Sequence, residues 1–293
     1  MLAGQIIAFA ALVIVATDPE PPWTLAWSDE FDSASDLDAN WRFDNFSTCG
    51  DLSMVAGTVQ TWDTTSASVN ASKLQIRPSI ANCRDVRIPV GVPGVPDNQR
   101  QTRQCEFLSA RLRSKAGFFS RPRGGASFDA VRVEASILVP GGSFVSPSLW
   151  MLPSIEGLPW WVESCQWPTA GEIDVLAWSP SDSSTTSAFH FGPPGQCIPG
   201  HGTCRIDGTP RSLATDAFHT FAVEYSATAI RFEVDGAVAL EVNHTQDIGP
   251  APYAQWPVFR SLMDGSFASE SPFSILLALR LLQVTSTALH HFP

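Results

Sequence analysis

The chain has 293 residues, 44% of them hydrophobic and 16% charged, which excludes a disordered chain and is enough for one large β domain. Eighteen Lys and Arg against 29 Asp and Glu leave a formal net charge of −11 with no basic run. Nucleic acid needs clustered cations at its phosphates and is excluded as a partner; the acidic balance serves solubility.

The first residues, MLAGQIIAFAALVIVATDPEPPW, carry an apolar run from Ile6 to Ala16 that Asp18-Pro19-Glu20-Pro21-Pro22 ends. The run is too short to span a bilayer, and Ala16 suits the position before a cleavage site. Residues 1–16 are therefore expected to be a signal peptide and 17–293 a single secreted domain, free of the membrane after cleavage. Cys49, Cys83, Cys105, Cys165, Cys197 and Cys204 contain no C-x-x-C pair, so zinc-ribbon and thioredoxin-like motifs are absent and disulfides are expected. Cys197 and Cys204 bracket the glycine-containing IPGHGT and could close a short loop; the other pairings stay open. Sequons at Asn45, Asn70 and Asn243 would carry glycans in a eukaryotic secretory pathway.

Farther along, SARLRSK (109–115) and FDAVRVEASILV (128–139) alternate apolar and polar residues. In the second, Val131, Val133 and Ala135 share one face and Arg132, Glu134 and Ser136 the other. FHTFAVEYS and IRFEVDGAVALEV follow, the latter broken by Asp235-Gly236, a strong hairpin signal because both residues tolerate the positive φ of a type I′ turn. No segment sustains a 3.6-residue apolar period, so an antiparallel β-sandwich or barrel is predicted. SPFSILLALRLLQVTSTALHHFP begins like a buried strand, then loses its alternation and reads as a short helix.

The chemistry concentrates in WPTAGEIDVLAW, residues 167–178. In a regular strand Glu172, Asp174 and Leu176 share a face, and two carboxylates about 7 Å apart raise each other's pKa where water is excluded. An isolated E-x-D is ordinarily a solvated pair. Here Trp150, Trp160, Trp161, Trp167 and Trp178 surround it in sequence, and indole faces suit sugar rings. The loop-like PWWVESCQWP would expose its tryptophans, and exposed aromatics call for a ligand. Retaining glycoside hydrolysis uses two carboxyl groups about 5–5.5 Å apart, one attacking the anomeric carbon and one first giving and then taking a proton. A β-bulge would return position 177 to the face of Glu172 and Asp174.

Taken in order, LAWSDEFDSASDLDANWRFD (25–44), SARLRSK, FDAVRVEASILVPGGSFVSPSLWMLP, WPTAGEIDVLAW, SAFHFG (187–192) and FHTFAVEYSATAIRFEVDGAVALEV (218–242) resemble glycoside hydrolase family 16. The likeness is to its laminarinase and β-1,3-glucanase group and their glucan-recognition relatives, and it runs from about Trp23 to Phe273. It implies a concanavalin-like jelly roll with a groove across a concave sheet for a β-glucan chain. It makes Glu172 the nucleophile, Asp174 the residue that orients and tunes the pair, and His190 and the tryptophans groove-lining residues. The acid/base glutamate falls on Ala177 in the bulged register and on Leu176 in the unbulged one, and neither can give a proton. Glu163 or Asp182, on flanking loops, could substitute. The resemblance implies no cofactor; some relatives hold a structural calcium, for which no ligands are assigned here. It also implies a last strand after about residue 274 that is missing or altered. The expectation is a secreted monomer that binds β-1,3-glucan with weak or no hydrolysis; the alternatives are an active retaining endo-glucanase with a substitute acid, and a defunct, truncated relative.

Overall fold

Alternation along FDAVRVEASILV becomes β10 (Ala130–Val139), in which every second side chain from Val131 to Val139 is buried and those between are half-exposed. This is a computed structural model, and the residues it describes are 7–16, 23–43, 60–87, 101–115, 130–141, 145–153, 172–191, 204–226, 229–243 and 273–281. Trp160, Trp161, Trp167, Glu163, Asn45, Cys49, Cys165 and Cys197 lie outside them.

Among the described residues three sheets are formed. The first runs β18 (Ala237–Asn243), β17 (Ala229–Val234), β16 (Ala217–Ser226), β10, β1 (Ile7–Ala16), β6 (Leu74–Ile76), β5 (Ala67–Val69), with β2 (Thr24–Asp29) also paired to β1. The second runs β14 (Cys204–Asp207), β13 (Ser184–Phe191), β12 (Glu172–Ser179), β11 (Val145–Pro153), β19 (Phe273–Leu281), β9 (Arg111–Ser114), β3 (Trp41–Phe43), with β15 (Arg211–Ser212) against β13. All pairings in these two sheets are antiparallel. A smaller sheet joins β4 (Gln60–Trp62), β8 (Gln101–Ser109) and β7 (Ser79–Arg87), with β4 parallel to β8. The fold is the antiparallel β-sandwich that the alternation predicts.

The core lies between the two large sheets. Val131, Val133, Ile137, Phe221, Val223 and Phe232 meet Leu112, Leu149, Met151, Ile173, Val175 and Phe189 there. Each such side chain contributes about 1.5–3 kcal/mol by leaving water. On the outward face of the first sheet, Arg132 bonds Glu224 at 2.5 Å, Glu134 at 2.7 Å and Glu233 at 3.0 Å.

The Asp235-Gly236 turn forms as predicted, with φ of 51° and 73° between paired Val234 and Ala237. Two features were not foreseen. One is a short helix, α1 (Ala34–Asn40). It is held by Asp29, whose carboxylate accepts hydrogen bonds from Phe31 N (2.8 Å), Asn40 Nδ2 (3.0 Å) and Trp41 Nε1 (2.8 Å). The other is β1. The apolar run read as a leader pairs Phe9–Ala16 with Ile137–Ala130 on one edge, and with β2 and β6 on the other. At the other end of the chain, Phe273–Leu281 forms β19, a strand between β11 and β9.

Candidate active site on the outward face of the second sheet

The site rests on β12 and its two neighbours. Against β13, Asp174 pairs with Ala188 and Ala177 with Thr186, so β12 advances three residues while β13 advances two. Against β11, Leu149 pairs with Leu176 and Trp150 with Asp174, the same extra residue counted from the other side. This is a β-bulge at Val175 and Leu176, and both are buried. A ladder carbonyl disturbed by the extra residue is met by a side chain: the Ser187 hydroxyl donates to Val175 O at 3.1 Å. On the other side of the strand the Ser146 hydroxyl donates to Trp178 O at 2.6 Å.

The bulge decides which residues face outward on the second sheet. Glu172, Asp174 and Ala177 are half-exposed on one face, while Leu176 is only 1% exposed and belongs to the core. The unbulged register is thereby ruled out. Trp178 is corrected with it. In a regular strand it would share the face of Glu172 and Asp174, but the extra residue turns it inward, where it is 4% exposed among core side chains. It is not placed to touch a sugar.

Cross-strand register lays out the face in rows. Glu172 stands opposite His190, which stands opposite Arg205. Trp150 stands opposite Asp174, and Ser148, Ala177 and Thr186 form the next row. His190 Nε2 and Asp174 Oδ2 are 3.0 Å apart, a bond that fixes the imidazole and the carboxylate together. Donor atoms of Glu172, Asp174 and His190 all lie within 4.8 Å of one another, the one such cluster among the described residues. Two carboxylates and an imidazole are groups that a metal ion could accept, but a hydrogen-bonded His–Asp pair beside a second carboxylate is equally the equipment of acid–base and nucleophilic chemistry.

Trp150 shares the face of Asp174 by register, yet is only 4% exposed, packed with Trp62 and Leu152. Trp62, which the sequence reading passed over, joins it, and the Arg111 guanidinium lies 5.3 Å from the Trp62 ring centroid. Nothing local in QTW marked this tryptophan, because a parallel pairing with β8 brings it there.

Of the two substitute acids, Asp182 lies in the turn beyond β12, past Ser179 and so at least about 7 Å farther along the strand than Ala177. Hydrogen bonds from the Ser179 and Ser184 hydroxyls hold its carboxyl below the usual carboxylate range. It is therefore ionised at neutral pH and has no proton to give. Of the sequons, Asn70 is exposed at the turn between β5 and β6, while the Asn243 amide is bonded to Glu241 at 3.2 Å.

No protein-family model matches the chain. A β-glucanase of Rhodothermus marinus is 27% identical over 270 residues, covering 87% of this chain and 78% of the relative. A β-1,3-glucan-binding protein of Penaeus monodon is 27% identical over 142 residues, or 46% of this chain; that match spans about a third (35%) of the relative's length. The crystal structure of an endo-1,3-β-glucanase from Streptomyces sioyaensis superposes with a TM-score of 0.61 at 23% identity, over 94% of this chain and 92% of that one. The last likeness is one of fold: the sandwich described above is that of the family 16 jelly-roll glucanases.

Proposed function

We propose that this chain is a glycoside hydrolase family 16-type protein that binds β-1,3-glucan along the face carrying Glu172, Asp174 and His190, and that hydrolyses native glucan weakly or not at all. One observation carries the proposal: the bulge brings three positions of β12 to one face, and the third is an alanine. A carboxylate pair without a proton donor retains the groups that meet a sugar and loses the one that helps its leaving oxygen depart. A positioned acid contributes roughly 10²–10⁴-fold, so its loss leaves a slow hydrolase. The glucan-binding relative supports the recognition half of the proposal.

In this reading Glu172 is the nucleophile, Asp174 holds Glu172 and His190 in register, and Ala177 marks the vacated acid/base position. An extracellular setting is part of the proposal, supported by the six cysteines and three sequons. A second reading, an active retaining endo-glucanase, is favoured by the β-glucanase relative that covers most of the chain. It needs an acid from elsewhere, and Asp182 is ill placed and ionised.

Calorimetry with laminarin, run beside an assay of released reducing ends, tests the proposal. Saturable binding with little or no release is expected. No binding sinks the recognition half; steady release that Glu172→Gln abolishes sinks the weak-hydrolysis half.

A further inference from the structure

We propose that Cys83 and Cys105 are joined as a cross-strand disulfide that clasps β7 to β8 and steadies the small sheet carrying Trp62. The cysteine count alone leads to disulfides without saying which; the ladder selects this pair. Cys83 on β7 stands directly opposite Cys105 on β8, inside an unbroken antiparallel run from Asn82 opposite Glu106 to Arg87 opposite Gln101. Directly opposite residues in such a run have Cα atoms about 4.5 or 5.5 Å apart, depending on the kind of pair. Both spacings fall within the roughly 4.4–6.8 Å that a disulfide spans.

No neighbouring strand offers a rival. The other partner of β8 is β4, whose sequence QTW has no cysteine. Cys204, the third cysteine among the described residues, stands opposite Phe191 at the edge of the second sheet.

The hairpin has little else to fix it. Among the described residues β7 is an edge strand with β8 as its one neighbour, and β4 pairs only through Gln60–Trp62. Residues 88–100 connect β7 to β8, far more than the two-residue turn that would set their register. A small sheet of this kind is marginal by itself. A crosslink closing a loop of about 20 residues restricts the freedom that the hairpin would gain on opening. Its place also serves the site. Two residues after Cys105, Phe107 begins the parallel pairing with Gln60 that ends with Ser109 opposite Trp62. Trp62 packs on Trp150, whose partner on β12 is Asp174.

Closure proceeds by exchange with a disulfide oxidant such as oxidised glutathione. One cysteine thiolate attacks an oxidant sulfur and releases the first thiol. The second thiolate then attacks the mixed disulfide at the first cysteine's sulfur and releases the other thiol. One S–S bond breaks and one forms, and two electrons and two protons pass from the cysteines to the oxidant.

The experiment uses the full chain produced in an oxidising secretory compartment, its free thiols blocked under denaturing conditions before trypsin digestion. Cleavage frees Leu74–Arg84 and Gln104–Arg111, each with one cysteine, because trypsin spares the Arg77–Pro78 bond. A linked peptide lighter by two hydrogens than the two reduced peptides together is expected, and dithiothreitol should separate it. Blocked thiols on Cys83 and Cys105, or either one joined to another cysteine, overturn the pairing. Hydrogen exchange tests the clasp. The double variant Cys83→Ala, Cys105→Ala should speed exchange of the amides of residues 60–62, 82–87 and 101–109 by at least about tenfold and leave β10 unchanged. Unaltered exchange at residues 60–62 overturns the support of Trp62, and equal acceleration in β10 overturns a local clasp. Neither readout involves a sugar, so its failure is distinct from failure of the glucan reading.

Discussion

At the scale of single residues, the turn between β17 and β18 shows how much one side chain can be asked to do. Asp235 takes the positive φ of the turn, accepts from Thr220 N at 2.9 Å and lies 2.8 Å from His219 Nδ1. Burial works to raise its pKa, but the bonds from His219 and Thr220 and the charges of His219 and Arg211 outweigh it and hold the carboxyl below its ordinary value. A carboxyl depressed on folding stabilises the folded state above its unfolded pKa, about 3.9, and loses that stabilisation as pH falls through the lower folded value. Asp235→Asn keeps the turn geometry and removes the charge. It should lower the Tm at pH 7, with the difference from the parent chain shrinking as pH drops below about 4; melting curves across that range check it. This turn was legible in the sequence, because Asp-Gly between alternating runs is a local signal. Trp178 was not. Its face depends on an extra residue at Val175 and Leu176 that no local propensity announces, and one residue is enough to exchange the outward face for the core.

At the scale of elements, β12 is a strand whose outward face is set by its irregularity. The family likeness, rather than the alternation of GEIDVLAW, pointed to the bulge, and the burial of Val175 together with Leu176 is its signature. Ser187 secures it by bonding Val175 O at 3.1 Å, and both residues are buried. Ser187→Ala would leave that carbonyl without its hydroxyl partner in an apolar setting, at a cost of about 1–3 kcal/mol. Ser187→Thr, which keeps the hydroxyl, should recover much of the loss. Chemical denaturation of the two variants measures the difference. If alanine matches serine in stability, the hydroxyl does not hold the bulge. The β10 pattern, in contrast, was read correctly from sequence, because both its neighbours are antiparallel and no irregularity interrupts Val131 to Val139.

At the scale of the whole molecule, the first and last segments carry the tension. Removal of residues 1–16 and a strand at Ile7–Ala16 are opposite fates for the same residues. The composition of that run suits both, since apolar residues such as Val and Ile favour a leader's apolar run and a β-strand alike. Pairing distinguishes them: without β1, the β10 edge and the edges of β2 and β6 lose their partner together. Amides of residues 9–16 are therefore expected to resist hydrogen exchange as strongly as those of β10 in the folded full chain. Exchange at the rate of a free tail would return the segment to its reading as a leader. The sandwich itself was legible from alternation and turns, while the order of strands, with β19 placed between β11 and β9, was not, because long-range pairing leaves no local mark.

The central claim, that this face retains a glucan site and lacks only its proton donor, is tested most directly by putting a carboxyl group at position 177 and measuring laminarin hydrolysis. The account predicts that Ala177→Glu raises kcat/KM by roughly 10²–10⁴-fold over the unmodified chain, and that adding Glu172→Gln removes the gain. An Ala177→Glu protein that is folded, binds laminarin and hydrolyses it no faster than the parent would contradict it.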